Sequence, residues 1–92
     1  MKLTFSTHAL RRMLRQGIRS EEVQMVFESG ERIEEYPDDE PYRSYLLLGW
    51  PGGQPLHVVA ADDVEEGEII VVTTYMPDPI RWESDFKTRR PR

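Results

Sequence analysis

The chain has 92 residues, 38% of them hydrophobic and 32% charged, and no cysteine. That is the size and balance of one globular domain, residues 1–92, and it excludes a disulfide framework, a thiolate zinc site and a thiol nucleophile. Met1–Leu10 lacks the apolar run of a secretion signal, and Ile69–Val72 is far too short to span a bilayer. A soluble, cytoplasmic protein with no membrane partner is therefore expected.

The net charge of −5 argues against indiscriminate nucleic-acid binding, yet the charges are segregated. From Lys2 to Arg19 there are five basic residues and no acid. Ser20 to Ile80 holds fifteen acids against Arg32 and Arg43, and Arg81 to Arg92 returns to five bases against Glu83 and Asp85. If the two ends meet, they form a basic patch on an acidic body. If instead they pair with the middle, they neutralise it.

Lys2–Ser6 alternates Leu3 and Phe5 with polar neighbours, which predicts an opening strand. Ser6 or Thr7 is the N-cap of a first helix whose core stripe is Leu10, Met13 and Leu14. At 100° per residue, His8, Arg11, Arg12 and Arg15 fall within about 100° of each other on the opposite side. Gly17 suits the left-handed C-terminal position, and Ser20 caps a second helix with Glu21 and Glu22 in its first turn. Val23, Val26 and Phe27 form its inner stripe and Gly30 ends it.

The period then changes to two. Strands are predicted at Arg32–Tyr36, Tyr42–Trp50, Leu56–Asp62 and Glu68–Met76, separated by an acidic turn at Pro37–Pro41, a hairpin at Pro51–Pro55 and a turn at Asp63–Gly67. The apolar run Ile69–Val72 predicts a central strand covered on both faces. Pro77 and Pro79 stop the sheet, a short helix follows through Trp82 and Phe86, and residues 87–92 are expected to fray. The fold class is α+β: β-α-α-β-β-β-β with the two helices packed on a curved antiparallel sheet and a short C-terminal helix.

Three groups of residues carry possible chemistry. The arginines of the first helix can form forked hydrogen bonds with phosphate oxygens; the alternative is a solvated face. Alternation puts His57 on the face of Val59 and Ala61, and a turn symmetric about Glu65 places it opposite Thr73, with Tyr75 one pair further along. An imidazole beside a hydroxyl and a phenol can act as acid or base; alternatively it is a core histidine bonded to Thr73. Tyr75 and Arg81 end and follow the last strand, while Trp82 and Phe86 read as cover for a sheet edge. His8 and His57 have no ligand spacing, and the acidic stretch Glu34–Glu40 fits no calcium loop. No metal or cofactor is expected.

The succession Ser6-x-His8-Ala9-x-x-Arg12-Met13, Gly17-Ile18, Tyr36-Pro37-Asp38-Asp39, Leu56-His57-Val58-Val59, Thr73-Thr74-Tyr75-x-Pro77-Asp78 and Trp82 resembles the family catalogued as domain of unknown function 4258. The resemblance spans essentially the whole chain. Members look like distant relatives of the RelE and BrnT toxins, whose genes often lie beside small antitoxin-like partners, including zinc-finger proteins of the YgiT/MqsA kind. Those toxins place two helices on a curved antiparallel sheet and cleave mRNA, generally without a metal. The positions matching the family pattern are His8, Arg12, His57, Tyr75 and Trp82. Gln16 departs from it, since a basic residue tends to precede Gly-Ile, and the acidic net charge departs from typical toxins.

The resemblance implies a metal-independent endoribonuclease of a toxin–antitoxin pair, using the RNA's own 2′-hydroxyl as nucleophile. His57 or His8 would be the base or acid and Tyr75 a proton donor or positioning group. Arg12, with Arg11, Arg15 or Arg81, would stabilise charge on the phosphate. The expected partners are RNA and an antitoxin-like protein, with a homodimer through an exposed strand edge as a further possibility. The rival expectation is a non-catalytic protein- or nucleic-acid-binding module of the same fold.

Overall fold

A computed structural model of the chain describes residues 2–91. The elements are β1 (Lys2–Phe5), α1 (Thr7–Gln16), α2 (Ser20–Ser29), β2 (Glu31–Tyr36), β3 (Ser44–Gly49), a single 3₁₀ turn at Pro51–Gly53, β4 (Leu56–Asp63) and β5 (Glu68–Tyr75). The class is α+β as the periodicity implies, and β2 to β5 form the expected meander. The strand order is β1-β5-β4-β3-β2, and β1 runs parallel to β5, so the sheet is mixed rather than wholly antiparallel. Alternation announces a strand but carries no direction. Only a hairpin dictates antiparallel pairing, and β1 reaches β5 without one. No helix among the described residues is long and apolar enough to cross a membrane.

Residues directly opposite each other in antiparallel strands share a face. Tyr45, Leu47, Leu56, Val58, Ala60 and Val71 form the helix-facing side and pack with Ala9, Met13, Ile18, Val23 and Val26 in the core. The other face carries Leu46, Leu48, His57 and Tyr75, and residues 77–91 cross it as a strap. β5 is an interior strand, but β4 is the central one, and Val72 of the apolar run is exposed.

α1 departs from its predicted stripe. Ala9 and Met13 are buried, whereas Leu10 and Leu14 are 52% and 87% exposed. The reason is its position: β1 pairs only with residues 68–71, and α1 lies along the part of β5 that β1 leaves uncovered. Ser6 N–H donates to Val71 O at its start, and Met76 N–H donates to Gln16 Oε1 at its end. A helix beside a sheet edge buries a narrower strip than one lying across the sheet.

Ser6 is the N-cap: its hydroxyl accepts from Ala9 N–H at 3.0 Å and donates to Val72 O at 2.7 Å. Because it both caps α1 and ties it to β5, Ser6→Ala is expected to cost about 1–2 kcal/mol, read as a lower urea midpoint at unchanged slope. Gly17 closes α1 at φ +67, as its residue type suggests. At α2 the cap lies one residue earlier than Ser20: Arg19 holds the N-cap position, and its N–H donates to Glu22 Oε1 at 2.8 Å. Gly30 ends α2 for a packing reason, since a Cβ there would lie 2.5 Å from Val26 O and 2.6 Å from Leu48 O.

After β5 the expected helix is absent. The Asp78 carboxylate accepts from Ile80 N–H and its carbonyl accepts from Arg81 and Trp82, which completes one turn. The chain then doubles back: Asp85 accepts from Lys87 and Thr88 N–H, Glu83 N–H reaches Thr88 O, and Arg90 N–H reaches Arg81 O. Short acidic side chains that bond nearby amides favour such turns over helix. Residues 87–91, expected to fray, are instead tied down. Lys87 pairs with Glu31 and Arg89 with Glu34, while Arg90 Nε donates to the carbonyls of Pro79 and Trp82.

Candidate functional site

The register between β4 and β5 sets the site. Asp63 pairs with Glu68 and a bulge at Val72 adds one residue to β5, so His57 lies opposite Tyr75, not Thr73. Thr73 instead faces Val59, and its hydroxyl has no partner among the described residues. A symmetric turn with no bulge predicts the other pairing, and nothing in the local sequence announces a bulge inside an apolar run.

His57 is fully buried under the strap. Its Nε2 lies 2.7 Å from Phe86 O, and its Nδ1 lies 3.3 Å from the Tyr75 hydroxyl. A carbonyl only accepts, so Nε2 carries the proton, and the lone pair of Nδ1 accepts from Tyr75 O–H. Burial lowers the His57 pKa, against the pull of the Phe86 carbonyl and the Glu34 carboxylate. Burial likewise raises that of Tyr75. The resting state is therefore a neutral imidazole holding a neutral phenol, with lone pairs of the phenol oxygen left for a ligand. Phe86 supplies its carbonyl from a left-handed backbone at φ 56, a costly conformation for a non-glycine residue. Its ring rests edge-on against Trp50 at 5.9 Å.

The buried histidine has a consequence for stability. The unfolded chain takes up a proton at His57 near pH 6.5, whereas the folded protein resists it to lower pH. Stability is then full above pH 6.5 and falls as the pH drops below that value. Urea midpoints measured from pH 7 to pH 5 should show this decline, and His57→Gln should flatten it. An equal slope in the variant would assign the decline to other groups.

Tyr75 opens into a cleft of about 490 Å³ lined by Arg12, Gln16, Tyr75, Met76, Asp78, Arg81, Trp82 and Arg89. The Arg12 guanidinium carbon stands 5.2 Å from the centroid of the Tyr75 ring. Arg89 is clamped: Nε and one terminal nitrogen each donate to Glu34 at 2.9 Å, and its guanidinium stacks 4.6 Å above Trp82. Those bonds hold the Glu34 carboxyl below its usual range, and Tyr36 O–H adds another at 2.7 Å. Arg12 and Arg81 have no ion-pair partner among the described residues.

Of the residues proposed from sequence, Arg12, Tyr75 and Arg81 line one cleft, and His57 stands directly behind Tyr75. His8, Arg11 and Arg15 are exposed outside the lining. Arg12 and Gln16 are one turn apart along the flank next to β5. Residues 11 and 15 sit one position back and are rotated by 100°. Gln16, which departs from the family pattern, has a local role: its carbonyl oxygen accepts from Met76 N–H at 3.0 Å, which a basic side chain cannot do. Sequence reasoning missed Arg89, Glu34 and the Phe86 carbonyl. The only signal for the first two was the opposite charge of an acidic strand and a basic tail.

Fold and cleft together define an α+β domain with a cation-lined pocket at the end of its sheet. Residues 5–76 match the family described as a domain of unknown function (DUF4258), and the chain belongs to that family. The match ends at Met76, so Arg81, Trp82 and Arg89 lie beyond it. Neither curated proteins nor solved structures give a match to the chain.

Proposed function

We propose that this domain is a RelE/BrnT-like endoribonuclease of a toxin–antitoxin pair, cleaving RNA at the cleft between α1 and the strap without requiring a metal. The observation that carries this reading is Tyr75, which lines the same cleft as Arg12 and Arg81 and whose hydroxyl is held by a neutral buried His57. Tyr75 Oη accepts the proton of a ribose 2′-hydroxyl while its own proton passes to His57 Nδ1. The 2′-oxygen attacks the adjacent phosphorus, the P–O5′ bond breaks, and a 2′,3′-cyclic phosphate forms. The departing 5′-oxygen takes a proton from solvent, and the imidazolium returns its proton to solvent through Tyr75. Arg12 and Arg81 neutralise the charge that builds on the phosphoryl oxygens.

The test is incubation of the pure protein with RNA in the presence of a chelator. Expected are products ending in a cyclic phosphate, with Arg12→Ala slowing cleavage by about 10²-fold or more. Unchanged cleavage in Arg12→Ala would remove this site from the reaction. A binding-only reading takes support from the Glu34 partner of Arg89, from Asp78 in the lining and from the −5 net charge. Salt-sensitive RNA binding without products would select it, as would salt-insensitive binding to an antitoxin-like protein.

A further inference from the structure

The cleft does not end at Arg81. A second one, of about 410 Å³, is lined by Ile80, Arg81, Arg89, Arg90 and Pro91, and it shares the walls Arg81 and Arg89 with the first. We propose that the substrate strand continues from one into the other. The ligand of this site is then a single-stranded oligonucleotide gripped at two consecutive phosphates, with a base resting on Ile80. This rests on the nuclease reading above and adds to it the length and strandedness of the substrate.

Three observations carry the inference. The first is that guanidinium groups continue across the boundary: Arg12 on the α1 side, Arg81 and Arg89 between the clefts, Arg90 beyond. A cationic groove of this kind tracks a nucleic-acid backbone rather than a single anion. The second is that two of these groups are already held. Arg89 is fixed between Glu34 and the Trp82 ring, while Arg90 Nε is anchored on the carbonyls of Pro79 and Trp82 and its Nη1 lies 3.3 Å from Glu83 Oε2. A guanidinium held in place loses little rotamer freedom when an anion arrives. The third is Ile80, a large apolar side chain 81% exposed among these cations. An unstacked base offers an apolar face to it, whereas a duplex keeps its base faces covered.

The experiment compares a dinucleoside monophosphate with a tetranucleotide of the same cleavage step, and the tetranucleotide with a version whose flanking linkage is a neutral methylphosphonate. The expected result is about tenfold higher kcat/KM for the longer substrate, lost with the neutral linkage, as befits one charge-assisted contact. Arg90→Gln should lose that discrimination. Because Arg90 also braces the strap, a melting curve checks its fold, and the substrate-side substitution stands without it. Uncleavable 2′-deoxy analogues read the second cleft by binding alone. Equal cleavage of short and long substrates overturns this inference and leaves the nuclease reading intact. Absence of cleavage with length-dependent, single-strand-selective binding removes the nuclease reading and keeps the two-phosphate grip. Duplex RNA binding as well as the single strand, or oligoglutamate displacing RNA at equal charge, also overturns it.

Discussion

If the cleft is the proposed nuclease site, Tyr75→Phe should reduce RNA cleavage by about 10²–10⁴-fold while leaving RNA affinity nearly unchanged. The substitution removes only the hydroxyl that bonds His57 Nδ1 at 3.3 Å, so the ring, the backbone and the stacked Arg12 remain. On that reading Arg12 and Arg81 still meet the phosphate, so the ground-state complex forms. What disappears is the path by which a 2′-hydroxyl proton reaches the imidazole. The variant also leaves a buried Nδ1 without its donor, at a cost of about 1–3 kcal/mol. Cleavage, RNA binding and thermal melting measured side by side separate these effects. Wild-type cleavage in a folded Tyr75→Phe protein would mean that the phenol is a bystander.

The strap gives the largest expected effect on stability. Trp82 is 3% exposed, its ring centroid lies 4.6 Å from that of His57 at 90°, and Arg89 stacks on it. Truncation to alanine is expected to cost about 3–5 kcal/mol, a large share of the roughly 5–15 kcal/mol typical of a domain. It also admits water to the imidazole. Since burial is the main cause lowering the His57 pKa, Trp82→Ala should raise it toward its ordinary value and flatten the decline in stability below pH 6.5. Urea denaturation across pH and titration of the imidazole by NMR read both effects. A loss under about 1 kcal/mol would show that the indole merely lies on the surface.

The helices and the meander were legible because their signals are local. Ser6, Gly17, the Pro51–Pro55 hairpin and the alternation of β2 to β5 each act within a few residues. The misjudged features all depend on partners far along the chain. Leu10 and Leu14 carry helical spacing, but whether that stripe meets a sheet face or a sheet edge depends on where β1 pairs. The His57–Tyr75 pairing hangs on a bulge that is invisible in an apolar run. The strap was the furthest from reach. A stretch of charged and turn-forming residues reads as a loose tail until Glu31 and Glu34 are known to lie beneath it. At the candidate site, Arg12, Tyr75, His57 and Arg81 were nameable by residue type, whereas the tautomer and the clamp on Arg89 are set by the Phe86 carbonyl and by Glu34, groups far away in the sequence.

The parallel β1 strand bears on the order in which the molecule assembles. Each meander strand pairs with its neighbour in sequence, but Thr4 must find Glu68 across 64 residues. Closing so long a loop is entropically expensive and is rewarded late, so β1 and the helix that follows it dock after the hairpins have zipped. Opening reverses that order, and the N-terminal edge detaches at lower free energy than the central strands. Arg12 leaves with it. Hydrogen exchange should therefore find the amides of residues 3–16 trading protons ahead of β4, and the pocket dismantled in molecules whose central strands remain intact.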